Sequence, residues 1–499
     1  MACILPAVYD HKAEDHLGAL RPYISRACGC QGAEIVTERT MSADPICNAS
    51  EAVVRPSVLL GTGIALRLIT FIFLNPENSD AHSSVISFIA QQGRLPHSGD
   101  LDQAYQPPLY YLLTAPIYHF STSFKIVQAF SLLLSILTLL VFFRLIYCCD
   151  LINNAKARSY GFALVCFLPQ FIAFQLFVSN DTLTIFLGAC TIWCLHRFAR
   201  SPGFWSISLL ALVLALGLLT KATFLSYLPV VGFAVLFMWK QRTHSVKRSL
   251  GLAFVFVLTL AVATSYKEID NYRQYGRAFM SNIDFRPGWA IQQEQTYQGM
   301  WSYVNVDLVT LLHSPSLSSS TKSAYPLMLY ATFWYQHIPE SSFIGSSHRP
   351  FTFLAEAIYL LAIVPTTVFV VGMGTLTRNA PSLLRRFRLE HPGDCRAFMI
   401  STSVGLLTAN LGIMLAAVVR YHVWSIMQGR LLFPSFFGIV AAFAVGVERV
   451  ERIKWGERLL RFCITALCVL FVTYLVSEIG ATVVLRYLPA AKDYLRGIT

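Results

Sequence analysis

Eight separate apolar stretches of helix-spanning length, and several shorter ones, occupy the chain between positions 54 and 488. The runs at 132–147, 209–220, 251–264 and 464–476 carry almost no charge. A hydrocarbon core about 30 Å thick is crossed by roughly 20 such residues in a helix, because the backbone must satisfy its own hydrogen bonds there. A soluble core is patterned differently, so the sequence describes one polytopic, all-α membrane domain. With 55% hydrophobic and 13% charged residues among 499, the composition agrees.

The formal net charge of +12 would suggest nucleic acid in a soluble protein. Here Lys and Arg gather in particular short loops, as the positive-inside rule expects of cytoplasmic ones. Lys156 with Arg158, Arg197 with Arg200, and the segments 240–248, 378–396 and 449–461 mark that side, and no nucleic-acid partner is expected. Spans then fall near 57–75, 124–147, 159–178, 182–197, 206–220, 223–239, 249–266, 352–374, 399–418, 431–447 and 460–484. That is a bundle of about eleven transmembrane helices, with the amino terminus inside and the carboxyl terminus outside.

This arrangement requires that 107–120, short and opened by two prolines, lie at the outer interface without crossing. The domain is thus 57–485, with long outer loops at 76–123 and 267–350 and a short outer tail at 486–499. Tyr, Trp and Gln are frequent at 266–275 and 288–303, suited either to an aromatic belt or to a polar ligand.

Residues 1–56 are polar, without periodicity or a cleavable-signal pattern, and read as a cytoplasmic, disordered extension. The 12 cysteines show no paired spacing, against a zinc site or a disulfide framework. There is no Walker loop, no dinucleotide-binding glycine fingerprint and no internal repeat, against a nucleotide-driven pump or a Rossmann domain.

Most residues suggestive of chemistry fall just outside the spans on the outer side. Asp80 opens an amphipathic helix in the first outer loop, after Glu77 and before His82. It is either the N-cap of that helix or a general base at the membrane surface. Tyr105-Gln106-Pro107-Pro108 then defines a helix start, whose N–H groups and dipole, with Gln106, suit a phosphate. Asn180-Asp181, Lys221, Arg420 and Gln428-Gly429-Arg430 lie at further outer helix ends. Each alone could be a cap or a snorkelling cation. Together, Lys221 and Arg430 could neutralise a lipid phosphate while Asp181 orients one of them. Arg67, in mid-span, should face the bundle interior and could pair there with an acid.

The order of these motifs resembles the GT-C class of polyprenyl-phosphate-sugar-dependent glycosyltransferases, relatives of protein O-mannosyltransferases and of the aminoarabinose transferase. The resemblance covers most of 57–447. It rests on Asp80, on Gly93-Arg94-Leu95-Pro96, on the string from Gln106 to Leu113, on Leu218-Leu219-Thr220-Lys221, and on Gln428-Gly429-Arg430-Leu431-Leu432-Phe433-Pro434.

It implies a GT-C-like bundle with interface helices in the first outer loop and a cavity open to the outside. It also implies transfer of a sugar from a lipid phosphate to an acceptor hydroxyl with inversion, Asp80 being the base and Gln106 lying near the phosphate. Two positions depart from the family. Ala81 stands where Asp-Glu is usual, and uncharged Gln106 stands where relatives often have Lys or His, which shifts the phosphate contact towards Lys221 and Arg430.

No cofactor is required on this reading. The polyprenyl-phosphate sugar is the donor substrate and the acceptor is an unidentified glycan, lipid or protein. No metal site is indicated, although Asp80 and Glu77 could bind a divalent ion. The expected location is a bacterial inner membrane with the site on its outer face. The alternative function is a transporter or flippase for a lipid-linked glycan, which would need polar residues within the spans of both halves.

Overall fold

The computed structural model describes residues 54–77, 80–242, 266–313, 319–335, 349–386 and 392–487. The expected extension and most of the expected tail lie outside them, as does nearly all of the span expected at 249–266. Among the described residues every regular element is helical.

Among the described residues, eight helical segments are long and apolar enough to cross a membrane: Pro56–Phe73, Phe124–Cys148, Asn180–Arg200, Ala222–Trp239, Thr352–Asn379, Asp394–Tyr421, Trp424–Val450 and Lys454–Gly480. The chain is an integral, multi-pass membrane protein. Eight of the eleven expected spans coincide with these segments. Two others take shorter forms. The segment expected at 206–220 is a helix of 15 residues, Phe204–Leu218, and that expected at 159–178 is broken into Ala155–Phe167 and Pro169–Phe174. Pro169 has no N–H for the helix ladder and drives Leu168 into an extended conformation.

In chain order the helices are α1 (Pro56–Phe73), α2 (His82–Gln92), α3 (Leu109–Ser121), α4 (Phe124–Phe143, continued by a π turn to Cys148), α5 (Ala155–Phe167), α6 (Pro169–Phe174), α7 (Asn180–Arg200), α8 (Phe204–Leu218) and α9 (Tyr227–Arg242). α10 covers 266–275. After it come α11 (Gly288–Glu294), α12 (Trp301–Val304), α13 (Leu308–His313), α14 (Ser319–Ser323), α15 (Tyr325–Trp334), α16 (Arg349–Arg386), α17 (Pro392–Tyr421), α18 (Phe436–Val450) and α19 (Lys454–Tyr487).

The spans containing α7 and α18 have 78% and 83% of their apolar windows buried, against 28–44% for the other six, so these two form the middle of the bundle. Phe171 of α6 packs on Phe433 and Phe436, and Phe142 of α4 meets Phe436 edge-on. These rings fix the segment leading into α18 against the broken helix. The segment expected as the second outer loop contributes more to the core than its polarity suggested: Tyr325, Leu327, Met328, Ala331 and Trp334 of α15 are buried.

Arg67 lies fully buried in α1. Where an acidic partner was anticipated, its guanidinium donates to neutral oxygens: Ser135 Oγ at 2.9 Å, the Gly63 carbonyl at 3.0 Å, the Val165 carbonyl at 3.1 Å and Gln175 Oε1 at 3.1 Å. The Val165 carbonyl is the one that position 169 would serve in a continuous helix, and Pro169 cannot. Arg67 thus supplies the donor that the break removes.

Candidate functional site

Four chain segments converge at one end of the bundle. Asp80 follows α1, Asp181 opens α7, Lys221 follows α8, and Arg430 lies in the 3-10 turn Gly429–Ser435 that leads into α18. This is the end opposite to the one bearing Arg197, Arg200 and the start of α5, where Lys156 meets Glu457 at 2.6 Å and Glu451 at 3.7 Å.

Backbone hydrogen bonds join the segments. Val178 N–H donates to the Pro76 carbonyl at 2.8 Å, bringing the Asp80 loop to the start of α7. Leu109 N–H donates to the Leu219 carbonyl at 2.9 Å, bringing the start of α3 to the Lys221 turn. The first N–H of the helix after Pro107-Pro108, anticipated as a phosphate donor, is therefore engaged.

Asp80 is not a helix cap. The N-cap of α2 is Ala81, which makes no side-chain cap bond and sits in the left-handed region at φ 50°, a costly conformation for a residue with a Cβ. The Asp80 carboxylate instead receives both terminal nitrogens of Arg430, Nη1 on Oδ2 and Nη2 on Oδ1 at 3.2 Å. Arg430 Nη1 also lies 3.6 Å from Asp181 Oδ2, and Lys221 Nζ donates to Asp181 Oδ1. Phe174 lies beneath the guanidinium, 4.8 Å from its carbon.

Two carboxylates and two cations thus form one chain, Asp80, Arg430, Asp181, Lys221, with Asp181, Arg430 and Lys221 largely out of solvent. In a low-dielectric setting such groups are retained only when they satisfy one another. Burial pushes the Asp80 carboxyl up, but Arg430 outweighs it and, with His82 and Lys221, holds it well below the usual carboxylate range.

Local structure positions each member. Ser179 caps α7 by accepting from Asp181 N–H at 3.2 Å, and Asn180 Nδ2 donates to the Thr220 carbonyl at 3.2 Å. Gly188 of α7 lies so close to the Pro434 carbonyl that a Cβ would come within 2.2 Å of that oxygen. Gly429 N–H donates to Thr332 Oγ1 at 2.8 Å, where an added Cβ would meet the Phe333 backbone at 2.5 Å. Both glycines allow the backbone carrying Arg430 to press between α7 and α15.

Around the four, His82 is buried, and its Nδ1 lies 2.8 Å from the Tyr111 hydroxyl. Burial lowers the His82 pKa to about 4, so the imidazole is neutral at physiological pH. The Tyr105 hydroxyl accepts from Gln106 Nε2 at 2.6 Å and is held in its neutral form by burial and then by the charge of Asp80. Gln428 is buried next to Arg430, and its Nε2 has no hydrogen-bond partner among the described residues.

Two anticipated residues lie outside these contacts. Arg420 reaches Asp284 at 3.4 Å, beside the Tyr421 hydroxyl that donates to the same carboxylate at 2.9 Å. Glu77 turns its backbone N–H onto Asn75 Oδ1 at 3.4 Å. Lys267 of α10 was missed. It is buried, donates to the Pro96 carbonyl at 3.3 Å, and lines a small open depression together with Leu95, Gln106, Tyr111 and Tyr266. It lies in the stretch 266–275, whose Tyr and Gln content suited either an aromatic belt or a polar ligand without singling out the lysine. No group of three or more metal-ligating side chains occurs among the described residues.

No protein-family model and no curated protein matches the chain. Among solved structures it is similar to ArnT from Cupriavidus metallidurans bound to undecaprenyl phosphate, with 15% identity over 79% of this chain and 77% of that one and a TM-score of 0.35. It is also similar to the archaeal oligosaccharyltransferase AglB from Archaeoglobus fulgidus in complex with an inhibitory peptide and a dolichol-phosphate, with 14% identity and a TM-score of 0.34. That likeness covers 85% of this chain and 55% of AglB, so the chain spans about half of AglB's length. Likenesses this remote assign no role to any residue here.

Proposed function

We propose that the protein is a membrane glycosyltransferase of the GT-C type, moving a glycosyl group from a polyprenyl-phosphate sugar to an acceptor hydroxyl, with inversion, at the outer face of a bacterial inner membrane. The observation that carries this reading is the buried chain of Asp80, Arg430, Asp181 and Lys221 at one end of the bundle. A polyprenyl phosphate is a fair leaving group. The protein must chiefly hold the reactants together, receive a proton and stabilise the phosphate charge that develops as the glycosidic bond breaks.

Arg430 and Lys221 offer that charge, Arg430 as a bidentate fork. Gln106 and Lys267 line the adjoining depression. An incoming phosphate competes with Asp80 and Asp181 for the cations, so donor binding loosens the contacts that hold Asp80. The acceptor is an unidentified glycan, lipid or protein, and no metal or cofactor enters the scheme.

Transport is the less supported reading. Arg67, the mid-span charge on which it would draw, is satisfied by neutral oxygens of Ser135 in α4, Val165 in α5 and Gln175 after α6. The test is transfer of radiolabelled sugar from a panel of undecaprenyl-phosphate sugars to an envelope extract by purified protein and by Asp80→Asn. Transfer by wild type alone is expected. Movement of the donor across vesicles without any new glycosidic bond would overturn the reading.

A further inference from the structure

The resemblance gives the acceptor's proton to Asp80, yet both Asp80 oxygens already receive Arg430 nitrogens. A carboxylate tied in this way is a weak base. Next to it lies the imidazole of His82, in contact with Tyr111. The Tyr111 hydroxyl has one proton and two neighbours, the Gln103 carbonyl at 3.3 Å and His82 Nδ1 at 2.8 Å. A hydroxyl that gives its proton to the Gln103 carbonyl, which can only accept, accepts in turn from His82 Nδ1–H. This leaves Nε2 of the neutral ring with its lone pair. Nε2 makes no hydrogen bond among the described residues.

Resting on the glycosyl-transfer reading above, we infer that His82 Nε2, and not Asp80, takes the proton of the acceptor hydroxyl, with Tyr111 as the residue that fixes its tautomer.

The step balances as follows. The acceptor oxygen forms a bond to the anomeric carbon, and its proton passes to His82 Nε2. The bond from that carbon to the phosphate oxygen breaks, and its electron pair leaves with the polyprenyl phosphate. The imidazolium then returns its proton to water. The charged groups acting on His82 are Asp80 from its own loop, Asp181 from α7, Lys221 from the turn after α8 and Arg430 from the turn before α18. The two carboxylates favour the imidazolium and the two cations oppose it. A donor phosphate that neutralises the cations therefore makes His82 a stronger base when the donor is in place.

The experiment compares wild type, His82→Gln, Tyr111→Phe and Asp80→Asn in release of radiolabelled sugar from undecaprenyl-phosphate sugars to water and to an envelope extract. 15N NMR of histidine-labelled protein, with His82→Gln assigning the resonance, reads the tautomer without any need for turnover. A general base contributes about 10²- to 10⁴-fold, so His82→Gln should lose that much and with it the acid limb of the pH–rate profile. Tyr111→Phe should lose less and show a mixture of tautomers. A His82→Gln rate within a few-fold of wild type, with Asp80→Asn inactive, returns the proton to Asp80 and overturns the inference. An Nε2-protonated ring at neutral pH in the NMR spectrum overturns it as well, even if every donor tried is refused and the glycosyl-transfer reading itself has failed.

Discussion

Arg67 and Arg430 are both buried arginines, and they differ in what surrounds them. Arg67 donates to two serine or glutamine oxygens and to backbone carbonyls near a proline break, all neutral and all internal to the fold. Arg430 is held by two carboxylates, one from the loop after α1 and one from α7, at a helix end beside an open depression. Neutral oxygens compensate a charge by hydrogen bonding alone, and such a site is complete as it stands. Carboxylates compensate by charge, so an anionic ligand can compete for the same guanidinium. The first arrangement holds helices together, and the second can exchange partners.

The largest expected effect separates the two. Asp80→Asn keeps the side-chain shape but removes the charge facing Arg430 and His82, and through that electrostatic loss transfer should fall by about 10²- to 10³-fold, measured as turnover per folded molecule. The unfolding temperature in detergent should change little, because Asp181 still faces the guanidinium at 3.6 Å. Arg67→Met should do the reverse. It leaves the Val165 carbonyl and Gln175 without their donor and should cost about 2–4 kcal/mol in stability. Activity per folded molecule should be retained. Equal loss of both properties in both variants would abolish the distinction.

Acidification sharpens the contrast further. The folded His82 pKa of about 4 lies below the ordinary value of 6.5. Between those limits the unfolded chain binds a proton that the folded one excludes, so stability is fully present above pH 6.5 and falls as pH drops towards 4. At about 1.4 kcal/mol per unit the loss is about 3 kcal/mol. Asp80, depressed by its surroundings, contributes in the same direction only below its ordinary value near 3.8. A series of thermal melts from pH 7 to 4 should therefore show a decline that His82→Gln flattens. An unchanged decline in that variant would mean that another group sets the acid sensitivity.

Much of this contrast was readable before any coordinates. The apolar runs located most of the spans, because lipid forces a helix to be long and uncharged. The pattern of basic loops put Asp80, Asp181, Lys221 and Arg430 on one side, and the structure joins all four. What stayed hidden depends on distances across the bundle. That Arg67 serves the carbonyl freed by Pro169 involves residues about a hundred positions apart, with neutral partners that no charge pattern reveals. Asp80 read equally well as a cap, since capping is local whereas its real partner is 350 positions away. Arg420 and Arg430, ten residues apart with similar chemistry, go to different carboxylates because α17 ends between them and the turn after it faces inward. Lys267 and the burial of α15 escaped because both depend on contacts with segments distant in sequence, such as the Pro96 carbonyl for Lys267, which local composition does not report.

The smallest expected effect examines the frame around Arg430. Gly188 is buried mid-helix, and a Cβ there would come within 2.2 Å of the Pro434 oxygen, backbone that has no flexible end to yield. Gly188→Ala must move either α7, which opens with Asp181, or the turn that carries Arg430. Overpacking of this kind costs about 1–3 kcal/mol, visible as a modest drop in unfolding temperature. A shift of either element lengthens the contact between Arg430 and Asp181 while leaving every side chain of the cluster in place, so transfer should fall more than stability does. If Gly188→Ala lowers the unfolding temperature but leaves turnover at the wild-type rate, the spacing of the charged chain is not tuned for reaction, and the two arginines differ less than their partners suggest.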